Sequence, residues 1–152
     1  MENTKQILLA GVKSGMIAGV IGAILFGIYV EVVLLILSRS IATLYFITPL
    51  LVIGIPIGLV AGTLLGLLIS YVVSKNSNVV QYVKILAVFT GCFAGSIYPL
   101  CLIYLAILFQ ESVNQEEIQE AILGLIGGLL SGGIAGLFGS KLFLRSLNAL
   151  GF

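Results

Sequence analysis

Four long apolar runs separated by short polar stretches take up most of this chain, over residues 7–37, 44–73, 79–109 and 118–147. Each exceeds the ~20 residues that a helix needs to cross a ~30 Å hydrocarbon core. The surplus predicts tilted helices, or helix ends that reach into the headgroups. The first run is too long for the apolar core of a cleavable signal and reads as a retained helix. The polar links are Ser38-Arg39-Ser40 with its flanks, Ser74 to Asn78, and Gln110 to Glu117. Links this short force consecutive helices to lie antiparallel. The pattern therefore predicts an all-α fold, an integral membrane four-helix bundle in a single transmembrane domain over 1–152. It is built of two hairpins, about 7–73 and about 79–147.

A second pattern lies inside the first. The second run carries Gly54, Gly58, Gly62, Gly66 and Ser70 at every fourth position, and the fourth run carries Gly124, Gly128, Gly132, Gly136 and Ser140, seventy residues on. The first run has Gly11, Gly15, Gly19, Ala23 and Gly27, and the third has the shorter row Ala87, Gly91, Gly95, closed by Pro99. A Gly-x-x-Ala-Gly core recurs in all four, at Gly15–Gly19, Gly58–Gly62, Gly91–Gly95 and Gly132–Gly136. This predicts two glycine-zipper hairpins in tandem repeat. A glycine every fourth residue bares one stripe of a helix, so that a neighbouring backbone approaches closely and gains dispersion and weak Cα–H···O contacts. Each glycine would cost about 1 kcal/mol against alanine in an exposed aqueous helix, so whole rows imply a packing role. The cores fall in the same half of the bilayer or near its middle, and bulkier or polar residues such as Tyr29, Glu31, Tyr45 and Tyr98 fall in the other. The prediction is a bundle tight at one end and splayed at the other.

Composition agrees with lipid as the solvent: 60% of the 152 residues are hydrophobic and 9% charged, with a mean hydropathy of +1.24. Soluble domains run nearer 25% charged. Net charge is +1, and the bases form no patch that would grip nucleic acid. Their distribution does carry orientation. Lys5, Lys13, Lys75, Lys84, Lys141 and Arg145 fall on the side of the termini and the middle link, against Arg39 alone on the other. By the positive-inside rule both termini face the cytoplasm. Lys13 and Lys84 sit a turn or more inside their runs, where a long stem snorkels to the headgroups.

Few side chains offer chemistry. Glu31 is the one carboxylate well inside an apolar run, and an ionisable group at such depth marks a functional site. Its candidate partners are Arg39, Tyr45 or Thr48 across the first hairpin, or a bound cation or proton. Pro56 and Pro99 interrupt the backbone ladder of the second and third runs and predict helix kinks. Cys92 and Cys101 lie nine residues apart on one run, too far along a helix to bond to each other. Histidine is absent, so neither a transition-metal site, nor a His-activated nucleophile, nor any cofactor is expected. The expectation is a non-enzymatic multi-pass membrane protein. Its leading role is that of a structural or assembly subunit, packing through its zippers with itself as a homo-oligomer or with a larger membrane complex. The alternative is a small proton- or cation-coupled transporter or channel, with an outward-facing cavity and Glu31 as coupling residue.

Overall fold

The computed structural model describes residues 2–38, 47–76, 80, 82–109 and 115–151. These form four helices: α1 (Glu2–Ser38), α2 (Ile47–Lys75), α3 (Val83–Phe109) and α4 (Gln115–Ala149). α1 and α4 begin earlier than the apolar pattern alone implies. Glu2 falls in the first turn of one, and Glu116 and Glu117 in that of the other, where the positive end of the helix dipole favours acidic residues. α2 closes on Lys75, a base at the negative end. α3 starts at Val83, later than expected, because Val80 and Tyr82 lie in a 3₁₀ turn, a common helix entry. α4 stops where Gly151 adopts φ 83°, with the Leu150 and Gly151 amides donating back to Leu147 O (2.9 Å) and Asn148 O (3.2 Å). Glycine takes that left-handed conformation without steric cost.

Among the described residues, three stretches are long and apolar enough to cross a membrane: Thr4–Ile36, Leu51–Lys75 and Ile122–Ala149. In α3 the described apolar stretch is Val83–Ile97, and the side chains of Tyr98, Pro99, Cys101 and Tyr104 lie outside the described residues. α2 is one continuous helix through Pro56, whose ring sits on an exposed face.

α1 packs along α2, α3 packs along α4, and α1 also packs against α4, whereas α2 and α3 barely meet. The helices thus neighbour one another in the order α2, α1, α4, α3. Conventional side-chain packing is concentrated at the end that bears both termini. There Ile7 of α1, Ile69 and Val73 of α2, Val83 and Ala87 of α3, and Phe143 and Leu147 of α4 are buried against one another.

Farther along, the contacts are of another kind. A Cβ built on Gly15 would fall on the carbonyl oxygen of Gly62 and 2.9 Å from the Cα of Gly66, and one on Gly62 would fall on the carbonyl oxygen of Gly15. Gly19 stands in the same relation to Gly58, and Gly11 to Gly66. In the second hairpin Gly91 meets Gly132, Gly95 meets Gly128, and Gly136 meets the carbonyl of Ala87. Backbone lies on backbone at each of these places. Lipid tails are as apolar as leucine, so such contacts supply dispersion energy that the hydrophobic effect does not.

α1 and α4 meet through a different face. Gly22 lies opposite Ala135, Gly139 opposite Ala18, and Gly127 under the ring of Tyr29. The Tyr29 hydroxyl donates to Leu123 O at 2.9 Å. The expected splaying therefore needs correction in one respect. Tyr29, counted among the bulky groups that part the helices, instead ties α1 to α4, because Gly127 leaves room for its ring. Separation falls between α2 and α3.

Candidate functional site

Glu31 continues the α1 row one turn beyond Gly27 and so points to the side where α2 lies. It is 5% exposed, and among the described residues neither carboxylate oxygen has a hydrogen-bond partner. A Cβ on Gly27 would sit 3.1 Å from Leu51 Cδ2. In an antiparallel pair, one further turn brings Glu31 level with Ile47, the first described residue of α2. The side chains of Arg39, Tyr45 and Thr48, expected as partners, lie outside the described residues. Burying an unpaired carboxylate is costly, which makes Glu31 the candidate site of the described residues.

Beside this position runs an apolar cleft of about 540 Å³ lined by all four helices, among them Gly22, Ala61, Leu65, Thr90, Ala94 and Ala135. Val30 and Leu34 line it too, but Glu31 does not. Because α2 and α3 barely meet, its open side lies between them. The hydroxyls along it are turned back on their own helices. Ser14 Oγ donates to Ala10 O (2.8 Å), Thr90 Oγ1 to Leu86 O (2.8 Å), Ser131 Oγ to Gly127 O (2.7 Å) and Ser140 Oγ to Leu137 O (2.8 Å). Their donors are engaged, so the cleft presents an apolar wall.

The remaining candidates lie elsewhere. Lys13, Lys84 and Lys141 are exposed on the end that bears the termini, and Lys75 Nζ lies 4.8 Å from the centre of the Tyr71 ring. Cys92 is half-buried and a free thiol, 3.4 Å from Leu129 O of α4. Among the described residues, no three of His, Cys, Asp and Glu lie together as metal ligands would. Sequence reasoning missed the second small-residue face of α4, Gly127, Ser131, Ala135 and Gly139. Its signal was present, since these residues repeat at the same four-residue interval, offset by three from the longer row.

Several long apolar helices are compatible with a membrane protein. No protein-family model, curated protein or solved structure matches the chain.

Proposed function

We propose that this is a non-enzymatic protein that crosses the membrane four times with both termini in the cytoplasm. Glycine zippers in tandem repeat hold its bundle together, and it acts as a small carrier coupled to a proton or cation at Glu31. One observation carries the reading: a carboxylate inside the spanning stretch Thr4–Ile36, 5% exposed and with both oxygens unbonded among the described residues. Such a group is costly unless it is used. The assembly reading needs a zipper face left over for other chains, whereas the glycine rows with described contacts find their partners inside this one. Orientation rests on the lysines and arginines gathered at the end that bears the termini.

The test reads occupancy of the carboxyl directly. In nanodiscs, a hydrophobic carbodiimide, which attacks the protonated acid, should modify Glu31 in the wild type and nothing in Glu31→Gln. Raising pH should slow the modification if the site holds a proton, and added Na⁺ should slow it if the site holds a cation. Modification indifferent to both would overturn the reading.

A further inference from the structure

Glu31 stands where the α1/α2 zipper has already loosened. At Gly15 and Gly19 an added Cβ would fall on a carbonyl oxygen of α2, but at Gly27 the atom it meets is Leu51 Cδ2 at 3.1 Å, and a Cβ on Gly54 meets that of Ala23 at 3.8 Å. Backbone no longer seats backbone as the pair nears Glu31, one turn further on. Yet the carboxylate is 5% exposed, so α1 is held there at a defined rotation about its own axis.

Tyr29 supplies a hold. It lies two residues before Glu31, about 200° around a helix of ~3.6 residues per turn, so a grip on α4 at one residue turns the other toward α2. Its ring lies over Gly127, and its hydroxyl donates to Leu123 O at 2.9 Å. An aromatic ring seated on bare backbone and bonded at its tip leaves α1 little freedom to turn, and a functional side chain needs a support of that rigidity.

The repeat marks the same place. Gly15 and Gly19 of α1 correspond to Gly91 and Gly95 of α3, seventy-six residues on, and at that spacing Tyr29 and Glu31 are matched by Leu105 and Ile107. α4 turns Gly127 and Ala135 to α1, where the matching positions of α2, seventy residues earlier, hold Ile57 and Leu65. The carboxylate, the tyrosine and the glycine that seats it all depart from the repeat, and they do so within one turn of each other along the bundle. We propose that Tyr29, locked on Gly127, is a positioning residue for Glu31, holding α1 turned so that the carboxyl lies buried toward α2. Its purpose rests on Glu31 being the coupling group; its geometry does not.

A carboxyl released from α2 reaches for headgroup water about two turns away, at the Ser38 end of α1. The test compares, in nanodiscs, how fast Glu31 is modified by a water-soluble carbodiimide and by a hydrophobic one, with peptide mapping to read it apart from the other carboxylates. Tyr29→Ala and Gly127→Ala should each raise the soluble-to-hydrophobic ratio at Glu31 several-fold, and the two together no further, since both open the same lock. Tyr29→Phe, which keeps the ring on Gly127, should hold the wild-type ratio. Gly139→Ala crowds the other end of the same seam, where its Cβ would lie 2.8 Å from that of Ala18, and should leave the ratio unchanged. A wild-type ratio in Tyr29→Ala would overturn the proposal, as would a rise in Gly139→Ala equal to that in Gly127→Ala. If Glu31 of the wild type reacts regardless of pH and Na⁺ while Tyr29→Ala still raises the ratio, the coupling reading falls and the positioning stands.

Discussion

The seam between α1 and α2 and the seam between α1 and α4 are both made of small residues, yet they resist change for different reasons. In the first, the atom that an added methyl would strike is a backbone carbonyl of the facing helix, as at Gly15 against Gly62. In the second it is the side chain of Ala135, Ala18 or Tyr29. Neither a carbonyl inside a helix nor an alanine Cβ can step aside unless the helix moves, whereas the Tyr29 ring can turn away. The two seams therefore differ in how deep the clash goes, from overlap with a carbonyl at Gly15 to a 3.2 Å contact at Gly22.

The largest effect should come from Gly15→Ala. It forces α1 and α2 apart, and we expect a loss of about 3 kcal/mol in SDS-driven unfolding from mixed micelles. Next is Gly127→Ala, which evicts the Tyr29 ring and breaks its bond to Leu123, at a cost of about 2 kcal/mol. Tyr29→Phe keeps the ring and loses only that bond, worth about 0.6 kcal/mol in comparable membrane settings. Once Tyr29 is cut to alanine, Gly127→Ala should cost almost nothing, a coupling that a double-mutant cycle would register. Smallest is Gly22→Ala. Its Cβ would lie 3.2 Å from that of Ala135, a gap that opens with a slight shift, so the change should stay within about 0.5 kcal/mol. If Gly22→Ala and Gly15→Ala cost the same, the distinction between the two seams fails.

The helices were legible because long apolar runs broken only by short polar links leave helix as the structure that satisfies their backbone. Helix ends were less so. The early starts of α1 and α4 depend on polar residues that an apolar pattern leaves out, and the late start of α3 on a local turn. Glu31 stood out by contrast with Tyr29-Val30 before it and Val32-Val33 after it. That its carboxylate is buried and unbonded is a matter of tertiary structure, which periodicity does not encode. The second face of α4 was overlooked because a single helix can carry two stripes, and the longer stripe drew the reading away from Gly127 and Gly139. The α2/α3 opening could not be read from either helix alone. It emerges only when Leu65 is compared with Ala135, its counterpart in the repeat.

Ser14, Ser131, Ser140 and Thr90 each complete their hydrogen bonding within their own helix. These four hydroxyls therefore need no neighbouring helix, whereas that of Tyr29 finds its acceptor only with α4 beside α1. The hairpins join through the α1/α4 face of Gly22, Gly127 and Gly139, so damage there should leave each hairpin closed on itself and the two hairpins undocked.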